Sequence, residues 1–329
     1  MRSGMRRTLV RAIPLAVGAA ALASAIYLSG PRRIAAYLGR ADPALLAAAA
    51  LSEASAIALT GLAWHSIVRG MSLRPRAVDS LKATGLEIFV DATIPTGTLG
   101  GEFLRITYAY NKMRIPIWNS VAAAVVLRVL IAGVLASLLA SAAYLGLARL
   151  SAMWLLLAAS AAAVAAVAAV AAFPSKAASL APGRYRALAE EAIGPVAAAL
   201  RSKGAIAALG LVFAEIASSA AAQMLAFSAL GIRIPYYFVM VAYPIYDVLL
   251  ALPTGIPGSF GVADVGTSII YASLGVRWPA ALAGMIATRI VCLISDAAMG
   301  LPVLLLEAGR MAPPADIWRA LRGEGRGAG

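Results

Sequence analysis

At 329 residues, with 62% hydrophobic side chains, only 13% charged ones and a mean hydropathy of +0.85, the chain lies far outside the range of soluble globular proteins. Its net charge of +13 does not point to nucleic acid, because the basic residues fall between apolar runs, where topology signals and anionic headgroups account for them. With Cys292 the single cysteine and His65 the single histidine, an internal disulfide, a Cys/His metal cluster and a histidine-activated nucleophile are excluded. No metal or cofactor is expected.

The apolar runs approach or exceed the ~20 residues a helix needs to cross a bilayer core, and none shows the short alternation of barrel strands. The expected class is therefore an all-α integral membrane protein. Arg2, Arg6, Arg7 and Arg11 precede an uncharged run at 12–29, which reads as a first span or as a signal peptide cleaved after Ala25; its length favours the retained span. A second span at 44–67 contains Glu53 and ends near Trp64 and His65, placed at headgroup level. The segment 81–94 then breaks at 94–102, IPTGTLGGE, and resumes at 103–110. Each arm is too short to cross alone, so the pair reads as a re-entrant helical hairpin leaving at Lys112 and Arg114; one long broken crossing helix is the alternative.

A third span at 118–147 carries Arg128. The fourth, at 153–173, is so rich in alanine that close helix packing rather than lipid contact is expected. Residues 174–204 form the longest polar stretch, in which Tyr185, Leu188, Ala192, Ile193, Val196 and Leu200 recur at helical spacing, as in an interfacial amphipathic helix on the cytoplasmic side. A fifth span at 205–230 carries Glu215. Segments 234–251 and 261–274 flank a second glycine-rich break, LPTGIPGSFGVAD, and a sixth span at 278–306 carries Arg289 and Asp296 before a polar tail at 310–329. With both hairpins re-entrant, 19 basic residues fall on one side and 6 on the other, which places both termini in the cytoplasm of a cell-membrane protein.

Each half, about 8–147 and 153–306, now reads span, span, hairpin, span, and three crossings per half invert the second relative to the first. Glu53 and Glu215, Pro95-Thr96-Gly97 and Pro253-Thr254-Gly255, Glu102 and Asp264, and Arg128 and Arg289 recur at offsets of 158 to 162 residues. Inverted repeats with broken helices place their site near the midplane, where half-helix N-termini offer free amides to anionic groups. The candidate substrate-binding residues are accordingly Pro95, Gly97, Thr98, Gly100, Gly101, Glu102, Arg105 and Arg128 in the first half. In the second they are Pro253, Gly255, Gly258, Ser259, Gly261, Asp264 and Arg289. Thr98 and Ser259 are expected as N-caps, and Glu102 and Arg105, three apart, as a pair on one face. Glu87 and Asp91, four apart, oppose joint ionisation and are the candidate proton-coupling pair, with hydrogen bonding to a neighbouring helix the competing role. Asp247 and Asp296 carry the same two readings.

The run Pro95, Gly97, Gly100, Gly101, Glu102, Arg105 resembles the Pro/Gly-Glu-x-x-Arg signature of the lysylphosphatidylglycerol synthase membrane region, a flippase-like family that includes stand-alone members. Arg128 and the stretch from Pro253 to Asp264, with Gly266 and Leu274-Gly275, resemble its later motifs. The resemblance implies lipid translocation without the soluble synthase domain of two-part members. The leading expectation is a flippase for an anionic or polyprenyl-phosphate-linked membrane lipid. The alternatives are a membrane-embedded enzyme acting on a lipid phosphate and a membrane partner of a separate synthase or glycosyltransferase.

Overall fold

The computed structural model describes residues 20, 22–95, 98–146, 151–180, 182, 186–252 and 254–307, and these are helical with short connections. Residues 12–19 and 21 of the 12–29 run and the whole 310–329 tail lie outside them. After a helical stretch at 22–29 come α1 (Pro31–Leu38), α2 (Pro43–Gly70), α3 (Ala77–Thr93), α4 (Thr98–Met113), α5 (Ile117–Tyr144) and α6 (Ser151–Ala172). The second half holds α7 (Pro174–Ser179), α8 (Arg186–Leu200), α9 (Lys203–Ala229), α10 (Tyr236–Ala251), α11 (Val262–Ser273) and α12 (Trp278–Glu307). Five helices among the described residues, α2, α5, α6, α9 and α12, are long and apolar enough to cross a membrane. The protein is an all-α, multi-pass membrane protein.

Local chemistry sets the helix starts. Asp42 caps α2, its Oδ1 accepting from Ala44 N at 2.8 Å with Pro43 in the first turn, where a missing N–H costs nothing. Ser202 caps α9 by accepting from Ala205 N at 3.2 Å. The interior of the bundle is built on α2 and α9. They meet at a reciprocal contact: Ser52 Oγ donates to Ser218 O and Ser218 Oγ donates to Ser52 O, both at 2.8 Å.

Two helix-break-helix units fold back on themselves. In the first, α4 returns along α3, and a Cβ on Gly101 would sit 2.2 Å from Glu87 O, so only glycine admits the approach. The helix restarts at Thr98, which puts Gly100, Gly101 and Glu102 in the first turns of α4 and shortens the break expected over 94–102. In the second, α11 returns along α10 after a break that contains the turn Pro257–Ser259. There Gly255 (φ 72°), Gly258 (φ 51°), Ser259 (φ 47°) and Gly261 (φ 82°) take left-handed backbone, a region open to glycine at little cost.

Two expectations, for α6 and for the polar stretch, are corrected. Trp64, placed near the end of α2, is fully buried within the protein, with the Arg105 guanidinium over its ring at 5.7 Å; His65 Nδ1 lies 3.0 Å from Ser80 Oγ. The alanine-rich α6 is the least covered span, with 6% of its apolar window buried, since small side chains permit close packing without recruiting a partner. The polar stretch divides into α7 and α8, and α8 packs Val196, Ala197 and Ala199 inside the protein, with Arg186 and Glu190 paired outside at 3.2 Å. Tyr185 and the side chain of Leu188 lie outside the described residues.

Candidate functional site

A cavity of about 200 Å³ lies among α2, α3, α5, α9, α10 and α12, with Ile256, Gly258 and Ser259 of the second break on its wall. Three arginines reach it: Arg105 from α4, Arg128 from α5 and Arg289 from α12. They are held in different ways.

Arg105 is completely buried. Its Nη1 lies 2.6 Å from Glu87 Oε2, and its Nε donates to Glu102 Oε1 at 3.1 Å. The pair expected between Glu102 and Arg105 is present, with Nη2 also on the carboxylate. Arg128 bridges the same two acids, donating from Nη2 to Glu87 Oε1 at 3.0 Å and to Glu102 Oε2 at 3.3 Å, and its side chain stays 43% exposed. Two arginines on two carboxylates form a closed, charge-balanced network. Such a network is retained because removing one member strands buried charge.

Arg289 is bound more sparingly. Its Nε donates to Asp264 Oδ1 at 2.9 Å and its Nη1 to Gly258 O at 2.9 Å, while its guanidinium lies 5.7 Å from the centre of the Tyr246 ring. Its Nη2 is buried without a hydrogen-bond partner. Asp264 uses its other oxygen to accept from Gly261 N at 2.9 Å, the first amide of α11. The sequence matches of Glu102 with Asp264 and Arg128 with Arg289 therefore recur as ion pairs with nearly equal separations, 26 and 25 residues.

Glu87 and Asp91, the candidate proton-coupling pair, engage different partners. Glu87 is taken up by both first-half arginines, whereas Asp91 Oδ1 accepts from Gly101 N at 2.8 Å and fixes the return of α4. Ser259 is not an N-cap. It ends the Pro257–Ser259 turn, Gly261 occupies the cap position of α11, and Ser259 Oγ faces Leu250 O at 3.3 Å and Leu252 O at 3.4 Å, tying the break to the end of α10. Thr98 is the first residue of α4, and its expected capping side chain lies outside the described residues.

Of the other candidates, Glu87, Asp91, Gly258 and Ser259 line the cavity, and Glu102 and Asp264 adjoin it through their arginines. Pro95 is exposed, and Gly100, Gly255 and Gly261 serve the two backbone reversals rather than the wall. Gly97, Pro253 and the side chain of Thr98 lie outside the described residues. Glu53 and Glu215, read from the sequence only as matched positions of the repeat, and Asp247 and Asp296, given the same two readings as Glu87 and Asp91, all face the cavity; acids inside otherwise apolar spans are a signal in themselves. Site reasoning from the sequence left out Gln223 and Tyr246. Gln223 accepts from Tyr271 OH at 2.6 Å inside the bundle.

The family described as lysylphosphatidylglycerol synthase TM region matches residues 11–300, a stretch that includes both helix-break-helix units and every arginine of the cavity. No curated protein compared with the chain matches it. The chain belongs to the lysylphosphatidylglycerol synthase TM region family.

Proposed function

We propose that the protein moves a phosphate-bearing lipid headgroup from one leaflet to the other through the cavity between its two helix-break-helix units, read as re-entrant hairpins of an inverted repeat. The observation that carries this reading is the free Nη2 of Arg289, a buried guanidinium donor on the cavity wall with no partner within the protein. A phosphate oxygen is the acceptor that a guanidinium fork fits best. Arg128, with its exposed edge on the same wall, is the second contact.

The reciprocal contact of Ser52 and Ser218, together with the matched ion pairs, supports a pseudo-two-fold axis through the α2/α9 interface. Rocking of the halves about a site near that axis would expose it to each leaflet in turn. A cell membrane with both termini in the cytoplasm, and a separate lipid-modifying enzyme as partner, complete the proposal.

The test is leaflet-resolved quenching of fluorescent anionic lipid in vesicles containing the purified protein. Wild type should equilibrate the label, and Arg289→Lys, which keeps the charge but loses the fork, should slow it by tenfold or more, since one charge-assisted hydrogen bond contributes roughly 1.5–3 kcal/mol. Equal rates for wild type and Arg289→Lys would remove the guanidinium from the mechanism.

A further inference from the structure

The arginines do not balance the acids of the cavity. Glu87 and Glu102 are engaged by Arg105 and Arg128, and Asp264 by Arg289. Asp91 is held by Gly101 N, and four more carboxyl groups face the same space from four helices: Glu53 of α2, Glu215 of α9, Asp247 of α10 and Asp296 of α12. None of the four makes an ion pair among the described residues. Glu53 lies within electrostatic range of Asp247, and Glu215 of both, while Asp296 faces Glu53.

An independent observation points to a ligand here. Asp296 is only 8% exposed and makes no hydrogen bond within the described structure, and the hydroxyl of Tyr246, one residue before Asp247 and 3% exposed, has no hydrogen-bond partner on the same wall. Unpartnered polar groups at this depth are costly unless something satisfies them. The four acids do not form a metal site, because no three acid, histidine or cysteine groups among the described residues converge closely enough to hold an ion. Spaced carboxyls that feel one another without converging suit the proton.

We propose that Glu53, Glu215, Asp247 and Asp296 form a proton-binding site whose loading accompanies entry of the lipid phosphate at Arg289. The step is simple: a carboxylate takes a proton from hydronium that reaches the cavity from the bulk, giving a neutral acid and a water molecule. Its consequence is electrostatic, since four unneutralised carboxylates would repel an incoming phosphate, and protonation lifts that barrier. By linkage, whatever favours the protonated cavity favours the bound anion to the same degree.

Other charged and titratable groups face the four. Arg128 on α5 faces Glu215 and Asp247. Arg289 and Asp91 face Asp296, Cys292 stands one turn before it on α12, and Tyr243 of α10 faces Glu215. Glu87, Glu102 and Asp264 are held in ion pairs with Arg105, Arg128 and Arg289, and Asp91 accepts from Gly101 N. On the proposed reading the proton therefore sits on the four unpaired acids rather than on Glu87 and Asp91.

The coupling rests on the transport reading, whereas the proton site itself does not, and the two are tested separately. Infrared difference spectra of the full-length protein in nanodiscs, titrated across the neutral range, should show a protonated-carboxyl band that is lost in Asp296→Asn or Glu53→Gln. A wild type without a titrating band, or a band unchanged in both variants and in Asp247→Asn, overturns the site. In vesicles, an imposed pH gradient should alter wild-type flipping several-fold, and Asp296→Asn should be insensitive to it. Flipping that ignores the gradient overturns the coupling and leaves transport standing. Absence of flipping under every condition overturns the transport reading, and the infrared result still decides the site.

Discussion

Arg105 is the residue on which the first-half site is built, and its environment makes a sharp claim about stability. It is fully buried between Glu87 and Glu102 and under Trp64. Replacing it by methionine keeps the stem's volume but leaves two carboxylates sharing Arg128 alone, and stranding a buried charge costs about 3–5 kcal/mol. Arg105→Met should therefore unfold well below wild type in detergent thermal melts. Arg105→Met combined with Glu87→Gln should regain a large part of the loss, because the stranded charge is then gone. If the double variant is as unstable as the single one, the guanidinium acts through packing on Trp64 and not through neutralisation. The Glu102–Arg105 half of this network was legible in the sequence from its i, i+3 spacing. The bridge from Arg128 to Glu87 was not, since those residues are 41 apart and only the return of α4 and the placement of α5 join them.

At the scale of elements, the first hairpin is docked on α12 through two glycines whose hydrogens face each other. A Cβ on Gly85 of α3 would stand 2.7 Å from Met299 O, and one on Gly300 of α12 would stand 2.2 Å from the Cβ of Phe89 and 2.3 Å from Gly85 O. Backbone cannot yield as a side-chain tip can, so Gly300→Val should separate α12 from α3 and deplete correctly folded, monodisperse protein. Gly210→Ala is the contrast. It sits on the exposed face of α9 with nothing near its would-be Cβ, so helix propensity alone acts, and the variant should be as stable as wild type or better by about 0.5–1 kcal/mol. Size-exclusion profiles and melting temperatures of the two variants check both statements. Helix limits were readable to within a few residues because apolar run lengths and the Pro/Gly breaks dictate them. What the helices bury was not: α6 was expected to pack closely and is little covered, since an alanine run carries no record of which partner, if any, will cover it. The four unpaired acids were visible one by one as charges in apolar spans, but their convergence needed α2, α9, α10 and α12 to be assembled.

For the whole molecule the open question is which way the hairpins face, and one ion pair gives a handle on it. Lys112 Nζ, at the end of the first hairpin, lies 2.7 Å from Glu307 Oε2, at the end of α12, so those two points share one end of the molecule. Arg277 stands just before the start of α12, whose 30 residues rise about 45 Å at 1.5 Å each, enough to cross the hydrocarbon core. Lys112 and Arg277 therefore lie at opposite ends. With both hairpins read as re-entrant, the excess of basic residues falls on the Lys112 side, and the proposed orientation has this end facing the cytoplasm. On a Cys292→Ala background, Lys112→Cys should label with a membrane-impermeant thiol reagent only after the cytoplasmic face is opened, and Arg277→Cys in intact cells. A first hairpin that crossed the membrane would carry the chain to the far face before α5 and invert every later loop. Both α3 and α4 have one end at the break, and with 17 and 16 residues each is about 25 Å long, short of the ~30 Å core. Labelling of both positions from the same side would therefore contradict the depth of α12 as well as the re-entrant reading of the first hairpin, and with them the alternating-access geometry that the proposed transport requires.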